Sequence, residues 1–270
     1  MRRQHIHMAI FPALEASLFG VAVLQIPQHP LFAIGLGLLT AAALNFTLHI
    51  TVHYHVHFKS RFSIVNELAQ MGFSILIGLP FHYYQMLHIN HHVYDNRPGD
   101  FTSTWKALGD RIVQRNAVAY SLLWPFRGRA RHQVRAALAE GYIAKGHPGK
   151  MRRQGIAVLT FVALLAWLDW RYVILYYGIF YVGWSLISLH NYGQHLPHQS
   201  RLELGNSFYS GVYNWIFVNN GLHYEHHRDP QVPYWDLLDR RDENRNNEWP
   251  HTVDGVRFTI REEKDSVTWP

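Results

Sequence analysis

Apolar residues along this chain fall into four runs that form two pairs. The first pair covers residues 9–26 and 31–57, and the second covers residues 156–168 and 172–189. A few turn-forming residues separate the two runs of each pair. An α-helix needs about 17–25 predominantly apolar residues to cross a bilayer, so runs 9–26 and 172–189 are near the lower limit and run 156–168 is short for a span. We interpret the pairs as two helical hairpins in a membrane.

Two further segments mix apolar and polar residues and are predicted to lie at the membrane surface. Residues 63–79 are apolar but contain Asn66, Glu67 and Gln70. We expect an interfacial or re-entrant helix here, which returns the chain to the side where the second run ends. Residues 208–222 are aromatic and amphipathic, which predicts another interfacial helix.

The pattern predicts an all-α integral membrane protein with four transmembrane helices. Residues 58–153 and 190–270 are expected to be cytoplasmic or interfacial, and to form a histidine-rich cap over the hairpins. All of these segments belong to one predicted domain, residues 1–270. The alternative for the second hairpin is a buried helical hairpin of a soluble protein. Aromatic residues around its turn favour the membrane, where such residues form a belt at the headgroups: Trp167, Trp170, Tyr172, Tyr176 and Tyr177.

Charge gives this arrangement an orientation. The formal net charge is +6, and many basic residues lie between the two hairpins: Arg127, Arg129, Arg131, Arg135, Lys145, Lys150, Arg152 and Arg153. Lys and Arg are enriched in cytoplasmic loops, so this segment, both termini and the cap are predicted to be cytoplasmic. The basic residues adjoin apolar runs and form no separate basic domain, so we expect no nucleic-acid partner.

The chain contains 20 histidines and no cysteine. The absence of cysteine excludes disulfides, thiolate zinc sites and iron–sulfur clusters. Any bound metal must therefore use nitrogen or oxygen ligands. The mean hydropathy of -0.14 does not argue against a membrane protein, because histidines and basic residues lower the average over the long apolar runs.

The histidines are concentrated in a few motifs. The spacing HxxHH occurs twice, at residues 88–92 and 223–227. His49, His53 and His57 follow one another at four-residue intervals, which places them on one stripe of the second predicted helix. His195 ends a polar stretch directly after the fourth apolar run. All of these motifs lie on the predicted cytoplasmic side, which indicates one metal site with several ligands.

The number of histidines in these motifs predicts two metal ions. Imidazole binds zinc, copper, iron and nickel, and a zinc site uses about four ligands. The chain offers nine or more candidate ligands, more than one ion takes. The HExxH motif of zinc hydrolases is absent from the sequence. Histidine ligation of two irons beside a membrane instead points to oxygen activation.

Three segments resemble the histidine boxes of the membrane-bound di-iron fatty acid desaturase and hydroxylase superfamily, which includes alkane hydroxylases and carotenoid ketolases. They are the HxxxH of His53 and His57, HINHH at 88–92, and GLHYEHHRDPQVPYW at 221–235. The text after the second box, through Asp100 and Trp105, is also similar to that of acyl-chain desaturases. The resemblance extends over residues 49–238, and it does not separate the members of the superfamily.

The resemblance implies a set of metal ligands when it is carried over residue by residue: His53, His57, His88, His91, His92, His195, His223, His226 and His227. His49 is an alternative in the first box, since His49 and His53 have the same spacing as His53 and His57. Asn191 matches a family asparagine that acts through water. We expect Glu225 and Asp229 to orient ligating imidazoles, with a solvent-facing position as the alternative for both.

The function that the resemblance implies is O2-dependent desaturation of a fatty acyl chain by two iron ions, with O2 as co-substrate. Hydroxylation or ketolation of a lipid, alkane or carotenoid on the same irons is the alternative, because the outcome depends on where a C–H bond is held. A membrane metal-binding protein without redox chemistry is a further alternative. That protein would distribute histidines along a path through the bilayer rather than on one side.

The implied reaction needs two electrons from outside the chain. The sequence contains no cysteine-based cluster, flavin fingerprint or fused cytochrome pattern. We therefore expect a ferredoxin or a cytochrome as the redox partner. The basic segment 127–153 is the predicted docking surface, because such donors are attracted by positive charge.

Overall fold

The described part of the chain is mainly α-helical. The computed structural model describes residues 3–57, 61–108, 111–195, 205–208, 211–216, 219–232 and 234–240. Its elements, in chain order, are α1 Arg3–Gln25, α2 Pro30–His57, α3 Ser63–Ile77, α4 Phe81–Tyr94, β1 Trp105–Leu108, β2 Arg111–Gln114, α5 Ala117–Leu122, α6 Trp124–Arg127, α7 Ala130–Ala139, α8 His147–Leu168, α9 Trp170–Gln194, α10 Gly211–Ile216, α11 His223–Arg228 and a 3-10 helix Tyr234–Arg240. The small antiparallel hairpin of β1 and β2 was not expected.

The chain divides into two compact units. The first comprises Met1–His88 and Ala130–Leu186, and the second comprises Ile89–Arg129 and Ile187–Pro270. The first unit contains α1, α2, α3, α7 and α8, with the beginning of α4 and most of α9. The second contains the end of α4, the β hairpin, α5, α6, the end of α9, α10 and α11. The prediction of a single domain stays a prediction.

Three of the described helices are long and apolar enough to cross a membrane: Pro30–Leu48 within α2, α8 and α9. Helices α3 and α4 pass the same test together, but the chain bends by 80° between them. The apolar part of α1, Ile10–Gln25, is shorter than a span. Both predicted hairpins are present as helix pairs, α1 with α2 and α8 with α9. By length and composition, the described residues give three spans, or four with the bent pair.

Several predicted boundaries differ from the structure, and helix α1 begins at Arg3 rather than at residue 9. Helix α8 begins at His147 rather than at residue 156, because Pro148 suits the first turn of a helix and the basic residues that follow are good helix formers. Helix α9 continues past residue 189 to Gln194. Among the described residues between 208 and 222, the helix is the six-residue α10, and Phe208 donates its N–H to the carbonyl of Gly221, so the chain turns back.

Large apolar side chains are exposed on the long helices. Leu31 on α2 is 83% exposed, and Trp167 near the end of α8 is 81% exposed. Leu159 of α8 and Ile174 of α9 are also exposed. A soluble helical hairpin buries such side chains, whereas a lipid-facing surface presents them to acyl chains. Their exposure favours the membrane over a soluble hairpin.

Small residues bring α2 and α9 close together in the first unit. A Cβ added to Gly183 on α9 would lie 2.8 Å from Cδ2 of Leu44 and 3.2 Å from the carbonyl oxygen of Ala41. Another glycine, Gly37 on α2, lies against Leu175 in the same way. Helices in a membrane associate through close packing at small residues, because lipid offers no hydrophobic driving force between them.

The beginning of α4 is held by side chains from two neighbouring helices. The Ser74 hydroxyl of α3 accepts a hydrogen bond from the Phe81 N–H at 2.9 Å. Oε1 of Gln154 on α8 accepts one from the His82 N–H at 3.0 Å, and its Nε2 lies 2.7 Å from Nδ1 of His82. The first N–H groups of a helix have no partner within it, so these contacts fix where α4 starts.

The bend between α3 and α4 depends on a glycine. Gly78 ends α3 with φ 68°, in the left-handed region that favours glycine. A Cβ at this position would lie 2.4 Å from the ring of Phe180. The close packing and the positive φ therefore allow no other residue here without a shift. The bend and the hydrogen bonds at its start together set the direction in which α4 leaves α3. Helix α4 carries the second histidine box.

Replacement of Gln154 by leucine is expected to destabilise the first unit. The change leaves the His82 N–H without its acceptor in a buried position, which costs about 1–3 kcal/mol. Unfolding by denaturant in detergent measures the loss. Gln28→Leu, at an exposed position in the turn after α1, is the matched control and is expected to retain wild-type stability. Equal stability of both variants would contradict this role of Gln154.

Candidate metal centre

Parts of three helices bring histidines together in the second unit. Helix α4 carries His91 and His92 in its last turn, and His195 directly follows α9. Helix α11 carries three histidines at positions i, i+3 and i+4, which share one face of a helix: His223, His226 and His227. Apart from His92, which is half-buried, all of these side chains are buried.

Four of the histidines form a compact group: His91, His195, His223 and His227. One ligand atom from each lies within 4.8 Å of the others. Nε2 of His195 lies 2.9 Å from Nε2 of His91 and 3.0 Å from Nε2 of His223. We refer to this group as the four-histidine cluster.

A second group, consisting of two histidines, adjoins the four-histidine cluster. Nε2 of His92 lies 2.9 Å from Nε2 of His226. The ring centroid of His92 is 4.4 Å from that of His227, a member of the cluster. His88 lies one helical turn before His92 on α4, and it belongs to the first unit. The described residues of the second unit therefore contain two adjacent groups of converging imidazole nitrogens.

Two carboxylates lie close to the Nδ1 atoms of histidines in the four-histidine cluster. Oδ2 of Asp100 lies 2.8 Å from Nδ1 of His91, and Oδ1 of Asp95 lies 3.2 Å from Nδ1 of His227. An ionised carboxylate only accepts hydrogen bonds, so Nδ1 of His91 carries the proton and donates it to Asp100. The lone pair is then on Nε2, which points into the cluster. This is the usual arrangement behind a metal-binding histidine.

Burial and neighbouring charges act differently on the titratable groups of the cluster. Burial, with a contribution from neighbouring imidazoles, holds the pKa values of His195 and His223 well below their usual range. Burial alone would lower the pKa of His91 and raise that of Asp100. The attraction and hydrogen bond between these two groups outweigh burial, so the pKa of His91 is raised and that of Asp100, which also accepts the N–H groups of Thr102 and Asn96, is lowered. The imidazoles of His195 and His223 therefore have lone pairs free to bind a cation.

The converging nitrogens fit a metal better than they fit one another. Nε2 of His195 faces two other Nε2 atoms, and a single proton cannot bridge three nitrogens. Imidazole nitrogens bind first-row metals at roughly 2.0–2.1 Å, so two on one ion lie roughly 3 Å apart. Nε2 of His227 is buried and has no hydrogen-bond partner among the described residues. The donor set, all nitrogen and neutral, suits iron, copper or zinc.

Asp100 is positioned by the loop that follows α4. Its two carboxylate oxygens accept N–H hydrogen bonds from Asn96 at 2.9 Å and from Thr102 at 2.7 Å. Asn90, the central residue of the HINHH box, holds the same loop. Its Nδ2 donates to the carbonyl of Gly99 at 3.1 Å, and its Oδ1 accepts from the N–H of Phe101 at 2.7 Å. The box therefore supplies His91 and His92 and also Asn90, whose side chain orders the loop that contains Asp100.

A short segment packs against the cluster on its α11 side. Gly205 has φ 68°, and a Cβ there would lie 2.6 Å from the ring of His223 and 3.3 Å from that of His195. Ser207 donates to the buried carboxylate of Glu225 and accepts the N–H of Tyr224 at 2.9 Å. These contacts fix helix α11, which is too short to be stable by itself.

Comparison with known proteins identifies the family. The family model described as fatty acid desaturase matches residues 29–257, which is more than half of the chain. The chain belongs to the fatty acid desaturase family. No curated protein and no solved structure matches it. The match confirms the resemblance seen in the histidine boxes, and membership of the desaturase family implies an oxygen-dependent oxidoreductase.

The structure brings together six of the histidines expected to bind metal in a desaturase: His91, His92, His195, His223, His226 and His227. His88 lies on the same helix as two of them. Helix α2 extends to His57 and so includes His49, His53 and His57, but their side chains lie outside the described residues. The choice between His49 and His57 in the first box stays open.

The three residues expected to support the ligands have different surroundings. The carboxylate of Glu225 is fully buried and bonds to Ser207. Asp229 lies at the end of α11, where it pairs with Arg228 at 3.1 Å and is partly exposed. The side chain of Asn191 donates to the phenol of Tyr120 at 2.9 Å.

Asp95 was missed by sequence reasoning, and Asp100 was noted without a role. Both follow the HINHH box closely, at three and eight residues after His92. A carboxylate soon after a ligating histidine is the signal that was available, since such residues commonly accept the Nδ1 proton. The sequence does not say which carboxylate turns inward. Asp95 has φ 44°, and this turn conformation is what directs its side chain toward His227.

We expect Asp100→Asn to weaken metal binding by about 10- to 100-fold, the usual effect of removing an outer hydrogen-bond partner of a ligand. An amide at this position no longer enforces the proton on Nδ1 of His91. Metal content of the purified protein after dialysis against a graded chelator measures the affinity. Asp229→Asn, which alters a partly exposed carboxylate, is the control. Loss of metal from Asp229→Asn but not from Asp100→Asn would reverse the two roles.

Proposed function

We propose that this chain is an O2-dependent desaturase of fatty acyl chains that uses two iron ions held by histidine. The observation that carries the proposal is the four-histidine cluster beside the His92–His226 pair, in a member of the desaturase family. Two adjacent groups of converging imidazole nitrogens match two ions rather than one. Their concentration near one another argues against a transport path, in which ligands follow one another through the bilayer.

The proposed ligand sets follow the two groups. His91, His195, His223 and His227 would hold one ion, and His92 and His226 would contribute to the other. His88, His53 and His57 are proposed to complete the second set on the strength of the family resemblance, with His49 as the alternative in the first box. The two irons, when bound, supply the activation of O2 and the oxidation of a C–H bond.

The protein's own residues prepare the site for that chemistry. Asp100 keeps the proton of His91 on Nδ1 and leaves Nε2 available, and Asp95 lies 3.2 Å from Nδ1 of His227. Burial of the cluster excludes water, which would otherwise intercept a reactive oxidant. We propose that an acyl chain enters from the membrane between the apolar helices, because its methylene groups are soluble there.

The proposed topology places the metal centre and both termini in the cytoplasm. Helices α1 with α2 and α8 with α9 would form two membrane hairpins. The segment that contains α7 and the start of α8 carries exposed basic residues, namely Arg129, Arg131, Arg135, Lys145, Arg152 and Arg153. This distribution supports a cytoplasmic position for the segment between the hairpins.

Lipid analysis of a host that expresses the chain tests the reaction itself. A new double bond in an acyl chain, dependent on O2, is the expected product. A new hydroxyl or keto group would instead show that the chain is a hydroxylase or a ketolase. A host that expresses His226→Ala is the control for lipids changed by expression alone. Unchanged lipids in repeated hosts that accumulate the inserted wild-type protein would contradict the proposal.

Metal analysis gives a second prediction. We expect about two irons per purified chain, and we expect His91→Ala and His226→Ala each to abolish activity while the protein still inserts. Each substitution removes one nitrogen from a different group of ligands. His132→Ala, at an exposed position on α7, is the matched control and should retain both irons. Stoichiometric zinc, or full activity of either ligand variant, would contradict the assignment.

Electron delivery to the metal centre gives a third prediction. We propose that a ferredoxin or a cytochrome docks on the basic surface formed by α7 and the start of α8. Reversal of charge at Arg131 and Arg135 should then raise the donor concentration needed for half-maximal rate, and added salt should weaken the dependence on charge. Turnover with varied donor measures the effect. Identical donor dependence in the wild type and the double variant would exclude this surface.

A further inference from the structure

One buried hydrogen bond in the second unit has no role in the ligand set described so far. Tyr120 on α5 is buried, and its phenol accepts a hydrogen bond from Nδ2 of Asn191 at 2.9 Å. The same phenol donates to the carbonyl of Thr102 at 2.6 Å. Asn191 and Thr102 are far apart in the chain, so this one oxygen atom connects the end of α9 to the loop after α4.

Both ends of this connection lead to histidines of the four-histidine cluster. The N–H and hydroxyl of Thr102 donate to Oδ1 of Asp100 at 2.7 and 3.0 Å, and Oδ2 of Asp100 holds His91. The carbonyl of Asn191 accepts the N–H of His195 at 3.2 Å. Nε2 of His91 lies 2.9 Å from Nε2 of His195, which closes a ring of contacts.

We propose that Tyr120 is a positioning residue that keeps His91 and His195 at the separation needed for one ion, by tying Asn191 to the loop that orients His91. The proposal rests on the function proposed above. It adds that one specific tyrosine, distant in sequence from every histidine box, sets the geometry of one of the two metal sites. The His92–His226 pair lies outside the ring, so Tyr120 acts on one ion and not on the other.

The surroundings of Tyr120 make its phenol a fixed point. The Asn116 side chain caps the start of α5 by accepting the Ala119 N–H at 3.0 Å. The ring of Tyr120 packs against Tyr192 with centroids 5.7 Å apart, in a small core that includes Ala117. The phenol oxygen both accepts and donates, and the low dielectric around it strengthens each bond. The position of the oxygen is therefore set by packing and not by the metal site.

Tyr120→Phe separates this role from simple packing, because phenylalanine keeps the ring and removes only the oxygen. The Nδ2 donor of Asn191 and the carbonyl of Thr102 then each lose a partner. The end of α9 and the loop can then move independently. A residue that only packed would leave the metal site unchanged after this substitution.

The experiment uses the full-length protein purified in detergent and loaded with ⁵⁷Fe. Iron release to a chelator is followed in time, and Mössbauer spectra are recorded before release. In Tyr120→Phe we expect one of two irons to leave roughly 10-fold faster than in the wild type, at the lower end of the effect of outer-shell changes. The other iron should leave at the wild-type rate. The Mössbauer signal of one site should change while that of the other stays.

A double-mutant cycle adds a second readout. Asn191→Leu removes the other end of the same connection, so its effect on iron release should be strongly non-additive with that of Tyr120→Phe. The matched control is Tyr213→Phe, which removes a phenol that bonds to Nε2 of His190 at 2.5 Å, outside the ring. This control should release both irons at wild-type rates.

The possible results are distinct. Wild-type release of both irons from Tyr120→Phe, or equal acceleration of both irons, would overturn the positioning role and leave the proposed function intact. Additive effects in the cycle would also overturn it. A wild-type protein that takes up no iron would overturn the proposed function and this inference together.

Discussion

Imidazoles that are buried side by side must be neutral, and their lone pairs must face a common point if they are to share a cation. The carboxylate of Asp100 imposes this condition on His91, because it accepts a hydrogen bond from Nδ1 and leaves the lone pair on Nε2, which is directed inward. Asp95 lies close to Nδ1 of His227. The low pKa values of His195 and His223 satisfy the same condition through burial. Many contacts of the second unit help to maintain these protonation states of the cluster histidines.

That support comes from elements that are weak by themselves. Helix α11 has six residues, and the loop after α4 has no regular structure near Asp100. Hydrogen bonds from Ser207 fix α11, and backbone N–H groups fix Asp100. Helix α4 differs, because Ser74 and Gln154 hold its start. The second box thus lies on a helix whose start is held by neighbouring helices, whereas α11 and the loop around Asp100 are held by individual hydrogen bonds.

The sequence predicted what depends on local pattern. Apolar runs predicted the two hairpins, and histidine spacing predicted which side chains share a face of α4 and α11. Contacts between distant residues were beyond it: Asn191 and Tyr120 are separated by 71 positions. Glu225 and Asp229 looked equivalent in the sequence. The end of α11 distinguishes them, since Glu225 lies within the helix and is buried, whereas Asp229 follows the last turn beside Arg228.

The choice of histidine has an electrostatic consequence. Neutral imidazoles add no negative charge, so they could not offset the charge of the two metal ions proposed for this buried site. Two carboxylates, each close to Nδ1 of one imidazole, would supply negative charge without binding the metal, and a low dielectric would make their effect large at this range. Asp100 remains ionised because four hydrogen-bond donors from His91, Asn96 and Thr102 surround it rather than because it is exposed. Asp100 therefore sets the proton position of His91 and would balance charge at once, which explains why the loop devotes so many hydrogen bonds to it.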